Sequence, residues 1–256
     1  MLTITGFHAI EEKIKSLEKT QAQNAEILYD KAGPRIKKII AAAQGAKIAC
    51  RQVSTGELNK VVAHLNELAR DHRGIVLQIA GEKEAESNII EAENLVAFLN
   101  SRNQAKTEHN RSLVILLDGI TDPHNVGAII RSCDQFGADL AIIPTHGSAT
   151  ESEVIARSSS GAASWVPLMF VPNLNRIIET LKNNGYWIYG ADAGGEKLGS
   201  FTPADKVAIV MGSEGSGMSR LVKEICDKIV SIPTCGKLDS LNVSVAAGIL
   251  LYELSR

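Results

Sequence analysis

From Leu113 onward the chain alternates short, unbroken apolar runs with longer stretches of helical spacing. The runs are Leu113–Leu117, Leu140–Ile143, Val166–Phe170, Trp187–Tyr189, Val207–Met211 and Ile229–Ile232. They are of strand length and lack the apolar–polar alternation of a half-solvated strand, so they read as strands buried on both faces. Helical patterns fill the intervals Val126–Phe136, Leu174–Asn183 and Met218–Cys226, which together predict a parallel sheet covered by helices. A last helix, entered through Ser240, Leu241, Asn242, Val243 and Ser244, is small and apolar on nearly every side from Val245 to Leu251. That pattern predicts a buried helix. Its polar mouth holds more hydroxyl and amide groups than one N-cap requires.

The first eighty residues carry a shorter alternation. An amphipathic helix opens at Thr5–Ile10, and Ala25–Tyr29 reads as a strand. Pro34 suits a helix's first turn; Lys47–Val53 is a strand, Ser54-Thr55-Gly56-Glu57 a helix start and Gly74–Ala80 a strand. The pattern predicts a small α/β domain over residues 1–81. Residues 82–110 are polar and acidic at both ends, predicting a linker with a helix from about Ser87 to Leu99, and residues 111–256 form the larger α/β domain.

Composition changes this picture little. At 256 residues, 45% of them hydrophobic, there is material for a small and a medium domain. No apolar run reaches membrane-spanning length and no charged-then-apolar leader opens the chain. Cys50, Cys133, Cys226 and Cys235 stand far apart without a C-x-x-C pair, so neither a metal site nor a disulfide framework is expected, and reduced thiols fit a cytoplasmic protein. The net charge of −2 excludes a strongly basic protein, yet residues 1–80 hold 12 Lys/Arg against 8 Asp/Glu, a balance of +4. A mildly basic leading domain fits an RNA-facing module and equally an ordinary solvated surface.

Ligands of parallel sheets bind beyond the carboxyl ends of the strands, and three such ends carry unusual residues. The first is D-G-I-T-D-P-H-N-V-G-A-I-I-R, from Asp118 to Arg131. Asp122-Pro123 turns the chain, Asn125 is placed to cap the following helix, and Arg131 lies six residues further, nearly two turns on. Its guanidinium suits a phosphate or a substrate hydroxyl, or else pairs with Asp134 or Asp122. The second is M-G-S-E-G-S-G-M, from Met211 to Met218. Its glycines permit a tight backbone cradle, but it has neither the G-x-G-x-x-G spacing nor a phosphate-binding lysine. Glu214 within it favours a cationic or hydroxyl-bearing partner. The third is Ser231–Gly248. No serine–histidine–aspartate order or carboxylate pair stands out.

These three stretches, in this order and spacing, resemble the motifs of the SpoU (TrmH-like) family of RNA ribose 2′-O-methyltransferases, from about Arg111 to the end of the sequence. Asp118-Gly119, and Ser160-Gly161-Ala162 before Val166-Pro167, fit the same family. The leading unit, with T-G-F-H-A-I, resembles the L30e-like substrate-binding domain of its RlmB-type branch. The resemblance implies a parallel-sheet domain closed by a deep trefoil knot, an exception to the unknotted rule. It also implies S-adenosylmethionine as cofactor and a homodimer. Carried over by position, Gly212, Ile232 and Leu241, with Met211 and Gly215 beside them, hold the cofactor, and Asn125, Arg131, Glu214, Ser240 and Asn242 line the reaction centre.

The reaction implied is methylation of a ribose 2′-hydroxyl in RNA. The family assigns activation of the hydroxyl to the arginine of the first motif, here Arg131. A guanidinium surrenders its proton reluctantly, so an electrostatic role, holding the adjacent phosphate and stabilising the developing alkoxide, is the better chemical fit. The leading domain favours a guanosine of large-subunit rRNA as acceptor, with tRNA as the alternative. A non-catalytic RNA-binding or ribosome-assembly factor on the same fold stays open. A nicotinamide dehydrogenase lacks its glycine fingerprint.

Overall fold

The structure is a computed structural model that describes residues 2–17, 22–65, 67–80, 88–104, 111–148, 155, 158–236 and 240–256. Parts of the predicted linker (82–87 and 105–110) and Lys237–Asp239 of the third motif lie outside the described residues. The chain divides into two compact units, Met1–Asn88 with Ser152–Trp165, and Ile89–Glu151 with Val166–Arg256. Among the described residues no helix is long and apolar enough to cross a membrane.

The first unit runs β1 (Leu2–Thr5), α1 (Phe7–Ser16), β2 (Ala25–Tyr29), α2 (Pro34–Gly45), β3 (Ala49–Gln52), α3 (Thr55–Val62) and β4 (Ile75–Ile79). Its sheet has the order β1-β4-β2-β3, with β4 antiparallel to both neighbours and β2 parallel to β3. Side chains alternate across a strand, and the two faces of this sheet are filled accordingly. Ile75, Leu77 and Ile79 join Ile10 and Ile14 of α1 and Ile36 and Ile39 of α2 in one core cluster. Val76 and Leu28 point the other way, to Leu58 and Val62 of α3. The predicted helix start at Ser54 is a capping box: Ser54 Oγ accepts from the Glu57 N–H at 3.2 Å, and the Glu57 carboxylate accepts from the Ser54 N–H at 3.0 Å. Strand β1 is absent from the sequence expectation.

His72, buried before β4, is held as a neutral ring. Its Nδ1 accepts from the Gly74 N–H at 3.0 Å, so Nε2 carries the proton and donates to Asn59 Oδ1 at 2.9 Å. Removal from water lowers its pKa, against the opposing pull of the Asp30 and Asp71 carboxylates. The unfolded chain therefore takes up a proton near pH 6.5 that the folded chain refuses. Stability from this site is complete above that pH and declines below it, by at most about 1.4 kcal/mol per pH unit. Denaturant unfolding should show the wild type losing more stability than His72→Gln between pH 7.5 and 5.5 (a range of about one unit either side of the ordinary imidazole value); equal losses would contradict this assignment.

The second unit runs α4 (Leu95–Gln104), β5 (Ser112–Asp118), α5 (Pro123–Phe136), β6 (Leu140–Pro144), β7 (Leu168–Val171), α6 (Leu174–Asn183), β8 (Trp187–Lys197), β9 (Lys206–Gly212), α7 (Arg220–Ile225), β10 (Lys228–Ser231) and α8 (Val243–Leu254). The six strands are all parallel, in the order β10-β8-β9-β5-β6-β7. On one face Val114, Leu116, Ile142, Ile188 and Val210 pack with Leu95 and Leu99 of α4, Ile177, Ile178 and Leu181 of α6 and Val222 of α7. On the other, α5 and α8 pack on each other, α5 reaching β6 and α8 reaching β9.

Three expectations are corrected. The linker helix starts at Leu95 rather than Ser87, preceded by a turn of 3-10 helix over Ala92–Asn94, because Ile89 pairs with Leu168 as an isolated bridge instead of joining the helical stripe. Strand β8 continues to Lys197, well past Tyr189. Helix α8 is not buried all round: Val245, Ile249 and Tyr252, at helical spacing, are 51%, 39% and 48% exposed.

Candidate active site

The carboxyl ends of β5, β8, β9 and β10 lie side by side, and the segments leaving them form one site. After β5, Asp122 caps α5 by accepting from the His124 N–H at 2.9 Å. Asn125, expected as the cap, is instead the third helical residue, and this leaves its amide for a longer-range contact. After β9, Ser213 and Gly217 exchange both backbone hydrogen bonds at 3.0 Å, closing a tight loop. Gly215 and Gly217 take φ of +93° and +67° within it, where a side chain is strained. A Cβ on Gly212 would overlap the backbone of Gly217 and Met218. The loop's exit is tied to the end of β5, because the Ser219 N–H donates to Asp118 Oδ2 at 2.6 Å.

Glu214, at the tip of this loop, is the hub. Its Oε1 accepts from Asn242 Nδ2 at 2.7 Å, Asn125 Nδ2 at 3.2 Å and the Val243 N–H at 3.2 Å. Asn242 also donates to Asn125 Oδ1 at 3.0 Å. The opposite end of the Asn242 amide is equally committed: Oδ1 caps α8, accepting from the Ser244 and Val245 N–H groups at 3.0 and 3.3 Å and from Ser244 Oγ at 2.6 Å. One amide thus starts the helix with one end and joins the first and second motifs with the other. This is why the mouth of α8 is richer in polar groups than a cap needs.

Beside the hub opens a cleft of about 550 Å³, a size suited to a small-molecule ligand. Met211, Gly212, Glu214, Gly215, Ile232, Ser240 and Leu241 line it. All five positions expected to hold a cofactor are therefore on its walls, with Glu214 and Ser240 of the expected reaction centre. Asn125 and Asn242 stand behind Glu214 rather than on the wall. Arg131 is exposed on α5 and is not among the lining residues. Among the described lining residues there are two carboxylates, Asp192 and Glu214, and no basic side chain.

Ala191, Asp192 and Ala193 of β8 also line the cleft, and sequence reasoning missed them. Gly190 and Glu196 of β8 lie opposite the consecutive residues Ile229 and Val230 of β10, so the chain between them arches out of the ladder toward the cleft. The signal was the run Gly190-Ala191-Asp192-Ala193-Gly194-Gly195 directly after an apolar strand. Gly195 closes the arch: a Cβ there would lie 2.6 Å from Ile229 C and Val230 N.

Comparison with known proteins identifies the family. A sequence model of the SpoU rRNA Methylase family matches residues 112–252, more than half of the chain. A Borreliella burgdorferi protein named as an uncharacterized tRNA/rRNA methyltransferase is 38% identical over 90% of this chain and 96% of its own. A Staphylococcus saprophyticus protein named for the TrmH family of tRNA/rRNA methyltransferases is 37% identical over 100% of this chain and 95% of its own. In fold, the chain is similar to the SpoU methyltransferase AviRb of Streptomyces viridochromogenes, crystallised with AdoMet, at a TM-score of 0.61 and 21% identity over 99% of this chain and 88% of that one. The chain belongs to the SpoU rRNA methylase family.

Proposed function

We propose that this protein transfers a methyl group from S-adenosylmethionine to a ribose 2′-hydroxyl in RNA, with a guanosine of large-subunit rRNA as acceptor. The observation that carries this reading is the Asn125–Glu214–Asn242 hub set against a cleft whose walls are the expected cofactor positions. The residues fit the cofactor: apolar Met211, Ile232 and Leu241 suit an adenine, the glycine-rich turn brings backbone close to a ligand, and among the described lining residues there are two carboxylates and no basic side chain, which disfavours a phosphate. When bound, S-adenosylmethionine supplies an electrophilic methyl group on a sulfonium.

The protein's own groups then act on the acceptor. Glu214, with Asn125 and Asn242 fixing its rotamer, positions the ribose together with Ser240 at the mouth of the cleft. Arg131, permanently charged, holds the neighbouring phosphate and stabilises the oxygen as its proton passes to water. Positioning of this kind contributes several kcal/mol, on the order of 5 or more, to such reactions.

The implied knot is part of the proposal. Strand β10 lies at the sheet edge beside β8, whereas α8 packs on α5 and β9. This separation supports a chain that turns back across the loops following β8 and β9, with Ile232, Thr234 and Leu241 in one cleft with those loops. A second copy of the chain is the proposed cover for Val245, Ile249 and Tyr252. The L30e-like role of the first unit rests on its layered α/β build and on its excess of basic residues.

The test is transfer from labelled S-adenosylmethionine to large-subunit rRNA and tRNA, each isolated unmodified. Label in rRNA, recovered as a 2′-O-methyl guanosine after digestion, is the expected outcome. Label confined to tRNA would overturn the acceptor, label on a base would overturn the ribose chemistry, and no label would favour a non-catalytic RNA-binding role.

A further inference from the structure

The arch in β8 gives the cleft a carboxylate that the reaction centre does not use. A bulge beside a site commonly serves to re-aim a side chain, and here the residue it re-aims is Asp192. Its Oδ1 accepts from the Gly194 N–H at 3.0 Å, inside the arch. Its Oδ2 accepts from Lys223 Nζ of α7 at 2.6 Å. The arch itself is pinned from β10, where Ser231 Oγ donates to the Gly195 carbonyl at 2.8 Å. The Asp192 side chain nevertheless remains 30% exposed.

Each carboxylate oxygen can accept about two hydrogen bonds. Among the described residues each Asp192 oxygen has one donor, the Gly194 N–H on Oδ1 and Lys223 Nζ on Oδ2, which leaves each a place for a ligand. We infer that Asp192 recognises the ribose hydroxyls of the adenosyl group bound in this cleft. The inference rests on the reading of the cleft as the cofactor site and adds to it a specificity residue on the wall away from the hub. The hydrogen bond from Lys223, and then that from Gly194, hold the Asp192 carboxyl below the usual carboxylate range, so it acts as an acceptor only. The adjacent ammonium also decides what kind of donor is welcome. A ligand ammonium would face the Lys223 charge across one carboxylate, whereas a neutral diol meets no such repulsion.

The test is titration calorimetry with four probes: S-adenosylhomocysteine, its 2′-deoxy and 3′-deoxy analogues, and 5′-methylthioadenosine, which keeps the ribose and lacks the amino acid. A hydrogen bond to a charged group corresponds to about 10-fold or more in affinity. The wild type should therefore prefer S-adenosylhomocysteine over a deoxy analogue by about 10-fold. In Asp192→Ala, which removes both acceptor oxygens, that preference should collapse toward unity, and S-adenosylhomocysteine and 5′-methylthioadenosine should weaken by the same factor. Lys223→Met, which leaves the carboxylate in place, should keep the preference. Full discrimination in Asp192→Ala would overturn the inference, and so would a weakened S-adenosylhomocysteine with unchanged 5′-methylthioadenosine, which would place the ammonium at Asp192. Should the variant fail to fold, wild-type protein binding both deoxy analogues as tightly as S-adenosylhomocysteine refutes it equally. Failure of the wild type to bind S-adenosylhomocysteine at all would remove the cofactor reading and the inference with it.

Discussion

Glu214→Ala should lower the rate of methyl transfer by about 100- to 1000-fold, the range seen when one preorganised polar group is removed from a reaction centre. The carboxylate gathers Asn125, Asn242 and the Val243 N–H onto one oxygen. Without it, two amide groups and a backbone donor lose their common acceptor, and the second motif is released from the first and third, which only the Asn242–Asn125 hydrogen bond still joins. Glu214→Gln should fall between the variant and the wild type, since its carbonyl oxygen can accept from the same donors without the charge. The loss should appear in single-turnover transfer with saturating RNA, with S-adenosylhomocysteine affinity much less affected. A Glu214→Ala rate within tenfold of wild type would remove Glu214 from the centre of the mechanism.

The second large effect belongs to Gly212. An alanine Cβ there meets backbone, not a side chain that can swing aside: Gly217 and Met218 occupy its place. The loop would have to open, breaking the paired bonds between Ser213 and Gly217. Overpacking of this kind costs about 3 kcal/mol, and the rearranged loop should weaken S-adenosylhomocysteine by about 100-fold, the equivalent of that energy. Gly215→Ala is the control. Nothing crowds its Cβ, so only the positive φ is penalised, at about 1–2 kcal/mol. Calorimetry and denaturant unfolding of the two variants separate the mechanisms; equal effects would mean that close backbone approach is not what position 212 requires.

Much of the second unit was legible because burial on both faces writes a strand as an unbroken apolar run. Leu174–Asn183 coincides with α6, and the predicted strand at Val207–Met211 lies within β9. What failed to show has physical reasons. Strand β1 is four residues long and gains its identity from antiparallel pairing with β4, more than seventy residues away, a contact no local pattern encodes. The linker stripe mixed Ile89, which forms a bridge, with Leu95 and Leu99, which sit on a helix. In α8, Val245, Ile249 and Tyr252 are as apolar as the truly buried Ala247, Leu250 and Leu251; sequence hydrophobicity cannot separate a core face from one left open on a single chain.

The site shows the same division. The resemblance to the family's motifs singled out Asn125, Glu214 and Asn242, and the fold joins them by hydrogen bonds. Asp192 was invisible because its place depends on a register shift between β8 and β10, and a glycine-rich stretch after a short strand reads as a connection. Asp118 stood only as part of the Asp118-Gly119 pair that ends the first strand and fits the family, with no role of its own, although its carboxylate anchors the segment that follows the glycine loop.

The hub also has a consequence for the order in which the protein becomes competent. Asn125, Glu214 and Asn242 are separated along the chain by 89 and 28 residues. While the ribosome is still adding residues before position 242, Glu214 has no third-motif partner, and α8 has yet to be made. A nascent chain at that stage can hold its sheet strands from β5 to β10 and still lack a reaction centre. Capping of α8 and completion of the hub are then one event, performed by a single amide, so on the proposed mechanism the step that caps the last helix also completes the reaction centre.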